Sequence, residues 1–482
     1  MDRAPRGHRL ATSFCAALLL ASSCTSHPAT PQVTPSRSSS SPASRPTQGS
    51  TAKGIHKIKH IIFIMQENRS FDNYFGTFPG ANGIPMKKGV PTVCLPDPAT
   101  SACVRPFHDS HDIDTGGPHR DFDATAAIDG GKMDGFISQL LMPRGSGCDQ
   151  YVQPTACKID QAHPDMMGYH DSREIPNYWT YAKDFVLQDH MFEPNYGWSL
   201  IAHLFMVSGW SALCTNPRDP MTCTSNLNDP DKDLSGTGPD YGWTDITYLL
   251  HKHHVSWGYY VDPGTVPDCD DGKTFCKPGF QRVGTPEIWN PLPDFVTVHQ
   301  DGQVDNVKAS SSFIGAARNG DLPAVSWVVP NGKESEHPPG RISAGQAWVT
   351  QLVNAVMTGP DWSSCAIFLS WDDWGGFYDH LVPPEVDANG YGLRVPGLVI
   401  SPYAKQGFID HQVLSFDAYL KFVEDDFLGG ARLDPKTDGR PDPRPKVRES
   451  VGILGDLRKD FDFSQPPRPP EMLPIPPVRT GP

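Results

Sequence analysis

Two adjacent aspartates, Asp372 and Asp373, close the apolar run AIFLSW in the stretch FLSWDDWGGFYDH. Neighbouring carboxylates repel each other, so an ordinary surface gains little from the pair, whereas a divalent cation makes ligands of both. A second polar pair, Glu67–Asn68, follows the β-branched run IKHIIFIM, and Ser199 opens the apolar pattern SLIAHLFMVSG after the turn EPNYGW. A carboxylate, a carboxamide and an Asp–Asp pair make an oxygen-rich shell for such a cation. A serine hydroxyl completing that shell loses its proton more readily and becomes a nucleophile. Histidines can neutralise the oxygens of a transferred group or protonate a leaving group. The candidates are His119 in GGPHRDF, His337 in SEHPP and His380 in FYDH, with His170 as a further site candidate. Taken singly, each piece has an ordinary role, because aspartates at strand ends and serines before helices cap and turn the chain. Together they read as machinery for phosphoryl transfer through a covalent phosphoserine that water then hydrolyses.

Such a set needs a rigid frame. IKHIIFIM and CAIFLSW have the near-continuous apolar character of strands buried on both faces, and VLQDHMF, SWGYYV, AVSWVVP and RVPGLVISPY read as further strands. Between them lie the helical patterns NYWTYAKDF, SLIAHLFMVSG, DITYLLHKH, SSFIGAARNG, AGQAWVTQLVNAVMTG and SFDAYLKFVEDDFLG. Alternation of this kind predicts an α/β fold with helices on both faces of one sheet. Ligands of such sheets bind at the carboxyl ends of the strands, where all three polar clusters fall. Gly375 and Gly376 are expected to let the backbone turn away without crowding an ion. GGKMDGF, with Asp134, is expected to be a turn that shapes the site.

The 482 residues carry 41 basic and 55 acidic side chains, a net charge of −14, which excludes general nucleic-acid binding. Arg3, Arg6 and Arg9 precede the apolar run FCAALLLA and the small residues SSCTS, the pattern of an export signal over residues 1–24. That run falls short of the ~20 residues a bilayer span needs. Cys24 is a candidate for lipidation, which would hold the protein on the outer face of a bacterial membrane; plain secretion is the other reading. Residues 25–54 are rich in Ser, Thr and Pro and read as a disordered tether. A catalytic domain over 55–431 follows, then a Pro-rich extension, 432–482, expected to pack on that domain in extended form. Four close cysteine pairs read as local disulfides stapling loop insertions: Cys94 with Cys103, Cys148 with Cys157, Cys214 with Cys223, and Cys269 with Cys276. Cys365 is left as a buried free thiol.

The motifs HIIFIMQENRSFDNYFGTFPG, GGKMDGF, EHPP, WDDWGGFYDHLVPP and VPGLVISPYAKQGFIDH resemble, in order, those of the bacterial phosphoesterase family that contains phospholipases C and acid phosphatases. That family belongs to the alkaline phosphatase-like superfamily, and the resemblance spans roughly residues 55 to 430. It implies a three-layer α/β/α sandwich and hydrolysis of phosphate esters through a metal-coordinated Ser or Thr. Carried onto this chain, it implies Glu67, Asn68, Asp372 and Asp373, with Ser199, as ligands of one divalent ion (calcium, magnesium, manganese or zinc). Ser199 stands at the nucleophile's place, and His119 and His337 at those of catalytic histidines. Phospholipase C members usually read GPT-x-PNR and DEHGG where this chain reads GWSLIAH and DDWGG. The expectation is an exported, metal-dependent phosphoesterase of acid phosphatase type, acting on a small phosphate ester or a phospholipid head group. Phospholipase C is the alternative enzyme, and a non-catalytic metal- or phosphate-binding surface protein is the alternative from another class.

Overall fold

The run HIIFIMQ forms the strand His60–Gln66 (β1), buried from Ile61 onward. Burying each of its large apolar side chains stabilises the fold by about 1.5–3 kcal/mol. In the computed structural model the described residues are 52–140, 164–230, 238–268 and 278–480. Seven further strands join β1: Val186–Gln188 (β2), Trp257–Val261 (β3), Val307–Ala309 (β4), Val325–Val329 (β5), Cys365–Trp371 (β6), Gly397–Ile400 (β7) and Phe408–Asp410 (β8). Their order across the sheet is β4-β3-β5-β1-β6-β7-β2-β8. β7 runs antiparallel to β6 and β2, and the other neighbours are parallel.

Side-chain alternation along the strands separates two helical layers. Phe63 and Phe368 pack on Tyr419 of the helix Phe416–Phe427, with ring centroids 5.1 and 5.3 Å away. Three residues after Phe368, on the opposite face, Trp371 meets Tyr178 of the helix Pro176–Asp184 edge-on at 5.1 Å. The result is the α/β/α sandwich that the alternation of runs predicts. The strand read from VLQDHMF is ladder-bonded only over Val186–Gln188, because the chain turns at Asp189 and His190.

Two of the four expected disulfides are present, Cys94–Cys103 and Cys214–Cys223. The other two expected disulfides, Cys148 with Cys157 and Cys269 with Cys276, lie outside the described residues. The N-terminal segment with Cys24 lies outside them as well. Cys365 is a buried free thiol whose Sγ donates to Asp361 O. Near the C-terminus, Asn354 donates to Leu473 O at 2.8 Å and Asn177 to Pro474 O at 2.9 Å, so this stretch lies along two helices. Among the described residues, no helix is long and apolar enough to cross a membrane.

Candidate active site

β1 and β6 pair in parallel with Gln66 opposite Trp371, so Glu67–Asn68 and Asp372–Asp373 leave the sheet side by side. Asn68 N donates to Asp372 Oδ1 at 2.9 Å, and Arg69 N to Asp373 O at 3.0 Å. Asn68 has a left-handed backbone, φ 59°, a conformation that asparagine tolerates better than most residues. Gly375 and Gly376 also have positive φ, 61° and 79°. A Cβ on Gly375 would sit 2.7 Å from Asn68 Cβ, and one on Gly376 would sit 2.4 Å from Gly117 Cα. The space these glycines clear therefore belongs to two crossing chain segments, where the sequence suggested clearance for an ion. Phe136, from GGKMDGF, packs edge-on against Trp374 and Tyr378 at 5.7 and 5.2 Å and buttresses the aspartate loop.

Ser199 is the first residue of the helix Ser199–Ser208, fully buried, and its hydroxyl donates to Asp373 Oδ2 at 3.0 Å. A helix N-terminus turns the positive end of its dipole toward an anion in this position. One turn further, His203 Nε2 lies 3.1 Å from Glu67 Oε1. Burial brings His203 down to about 4 despite the charges of Asp372 and Asp268, so its ring is neutral where its Nε2 bonds Glu67.

The carboxylates press on one another. Burial, then the charge of Asp372, pushes Glu67 well above the ordinary carboxylate range. Burial and then Asp372 do the same to Asp373, and burial and then Asp373 to Glu193. Glu67 Oε2, Asn68 Oδ1 and Asp372 Oδ2 are buried without a hydrogen-bond partner. Each such atom costs about 1–3 kcal/mol, and more when charged. Three unpartnered oxygens among repelling carboxylates fit a divalent cation in chemistry and in charge.

The two histidines face this set from the other side. His119 Nδ1 donates to Gly117 O at 2.8 Å, leaving Nε2 3.2 Å from Asn68 Nδ2 and 3.9 Å from Asp373 Oδ2. His337 Nδ1 donates to Pro338 O at 2.7 Å, and its buried Nε2 is 3.6 Å from Asp268 Oδ1. The two rings are 6.4 Å apart. Burial alone would raise Asp268, but hydrogen bonding and charge from His337, then the charge of His119, hold it at about 2. Asn68, Thr115, His119, His337 and Gly375 line a narrow, closely packed crevice beside this set.

Seven of the nine expected site residues thus come together: Glu67, Asn68, His119, Ser199, His337, Asp372 and Asp373. The other two are engaged elsewhere. His380 Nδ1 bonds Asp72 Oδ2 at 2.7 Å beside Arg394, and His170 Nε2 bonds buried Asp114 at 3.0 Å. Sequence reasoning missed His203, Asp268 and Glu193. His203 carried a signal, since it stands four residues after Ser199 on the same helix face. Asp268 and Glu193 sit in irregular chain, where no periodicity marks them.

A buried, oxygen-rich centre at the carboxyl edge of an α/β/α sandwich, with a serine at a helix start, has the build of a phosphoric ester hydrolase. A sequence model of the Phosphoesterase family matches residues 58–428, and the chain belongs to that family. It is 26% identical over 473 residues to the non-hemolytic phospholipase C of Burkholderia pseudomallei, covering 86% of this chain and 60% of that protein. To phospholipase C B of Mycobacterium tuberculosis it is 25% identical over 454 residues, covering 86% of this chain and 79% of that one. Among solved structures, a Vibrio parahaemolyticus protein of the alkaline phosphatase superfamily is similar at 12% identity and TM-score 0.33, over 78% of this chain and 68% of that one.

Proposed function

We propose that this protein hydrolyses phosphoric esters by a cation-dependent route with Ser199 as the nucleophile. The observation that carries the reading is the set of unpartnered oxygens on Glu67, Asn68 and Asp372, beside a Ser199 hydroxyl already bonded to Asp373. A divalent cation held by Glu67, Asn68, Asp372, Asp373 and Ser199 would neutralise the carboxylates and draw charge from the phosphoryl oxygens. Ser199 Oγ gives its proton to Asp373 and bonds to phosphorus while the bond to the leaving oxygen breaks. His337 Nε2, 3.6 Å from Asp268 Oδ1, faces the same space and protonates that oxygen. His119 Nε2 faces the same space and binds a phosphoryl oxygen. Water then attacks the phosphoserine and restores Ser199.

The phospholipase C names of the relatives support a phospholipid diester as the substrate. A monoester phosphatase is the second reading, favoured by Ser199 and Asp373 where phospholipase C members usually have Thr and Glu. Arg3, Arg6, Arg9 and the apolar run after them support export, with Cys24 as the lipidation candidate. Hydrolysis of a bis-aryl phosphate diester against the aryl monoester tests the substrate, with Ser199→Ala alongside. A diester rate at least tenfold above the monoester rate supports the phospholipase reading, and the reverse supports the phosphatase. Normal turnover by Ser199→Ala rules out the nucleophile on either substrate.

A further inference from the structure

At one end of the sheet, a buried aspartate gathers two histidines that the active site does not use. β8 is the last strand of the sheet and pairs in parallel with β2, Asp410 opposite Gln188. Asp189 follows β2 and His411 follows β8, so two rigid strand ends deliver them to the carboxyl edge of the sheet. His190 Nδ1 lies 2.7 Å from Asp189 Oδ1, and His411 Nδ1 lies 2.9 and 2.8 Å from Asp189 Oδ1 and Oδ2. One donor atom of each residue falls within 4.8 Å of the other two. The Asp189 side chain is fully buried, whereas that of His411 is 59% exposed, so the trio opens to solvent on one side.

Its other side is braced. Asn82 N donates to Asp189 Oδ2 at 2.7 Å, and the Asn82 amide lies 3.2 Å from His190 Nε2. Arg394 donates to the carbonyls of Asp189 and Asn82 at 2.8 and 2.7 Å. The carboxylate and one imidazole are thereby fixed from behind, as outer hydrogen bonds fix metal ligands.

We propose that Asp189, His190 and His411 form a second cation site, taking a zinc-class transition-metal ion. Two imidazole nitrogens and one carboxylate suit such an ion, whereas calcium and magnesium take oxygen sets like that around Ser199. Three protein ligands leave a fourth position to water. Both Nδ1 atoms converge on one carboxylate, so an ion here replaces two N–H···O bonds with two nitrogen–metal bonds. Each ring then carries its proton on Nε2: His411 toward solvent, and His190 toward Asn82, whose amide can turn its oxygen to accept. The bound ion ties edge strand β8 to β2.

Cobalt(II) is the probe, titrated into the full-length, chelator-stripped protein and followed by its visible absorption and by the melting temperature. The expected result is a tetrahedral cobalt band with a rise in melting temperature, retained in Asp372→Asn and lost in His411→Gln. His190→Gln weakens the binding at least tenfold, and His411→Gln keeps wild-type ester hydrolysis. Cobalt binding by His411→Gln equal to that of the parent overturns the proposal, as does loss of all binding in Asp372→Asn. Neither result bears on Ser199, whose assignment rests on turnover.

Discussion

Two buried acidic clusters grow from the same motif, WDDWGGFYDH, and differ in what balances them. Asp372 and Glu67, beside Asp373, each keep a buried oxygen without a hydrogen-bond partner. Seven residues on, Asp379 accepts two bonds from Arg394 Nε at 3.0 and 3.2 Å and one from Leu381 N at 2.9 Å. Its neighbour Asp72 accepts from Arg394 at 3.1 Å and from His380 at 2.7 and 2.9 Å. Burial still raises Asp379, with Arg394 pulling the other way, yet the carboxyl groups here have their donors built in. Buried carboxylates with an arginine are architecture. Buried carboxylates without one are a place for a cation brought from outside.

Neutralising single members of the two clusters should move stability in opposite directions. Asp372→Asn removes a repelling charge, so the cation-free protein gains stability while hydrolysis falls by about 10³-fold or more. Chemical denaturation after chelation and steady-state rates check both halves. Arg394→Met leaves Asp72 and Asp379 buried without their counter-charge and costs about 3–5 kcal/mol of folding stability. Equal losses from both substitutions would erase the distinction.

The pH dependence sharpens it. Glu67, Asp373 and Glu193 are raised above the ordinary carboxylate range by burial and by neighbouring carboxylates. The stability tied to their protonated forms is complete below the unfolded-chain values, about 4, and is lost as the pH rises through the higher folded values. The cation-free protein should therefore lose stability as the pH climbs from about 4 toward neutrality, and a saturating divalent cation should flatten the slope. Melting temperatures against pH, with and without the cation, read this directly. His203→Ala removes the hydrogen-bond partner that orients Glu67 and should weaken cation affinity about 10–100-fold. His380→Gln is the mildest change: about 1 kcal/mol of stability and unaltered hydrolysis, measured side by side.

The sheet was legible because its strands are apolar runs of a kind that only burial on two faces explains. The polar pairs after β1 and β6 were legible because two unlike carboxylate-bearing pairs end two such runs. His203 could have been read from its helical spacing to Ser199. The fates of His380 and His170 could not, since their partners, Arg394 with Asp72 and Asp114, come from distant chain segments. Asp268 is likewise made part of the site by tertiary contact with His337. The glycines after the aspartates signalled a tight turn, but what they make room for, Asn68 and Gly117, emerges only in three dimensions.

The most direct test of the central claim is hydrolysis of an aryl phosphate monoester and its bis-aryl diester by fully chelated protein, before and after a divalent cation is restored. The account predicts turnover near background without the cation, recovery of at least one of the two activities with it, and no recovery in Asp372→Asn. Undiminished turnover by the cation-free protein, or no turnover of either ester by a folded protein with cation restored, would contradict it.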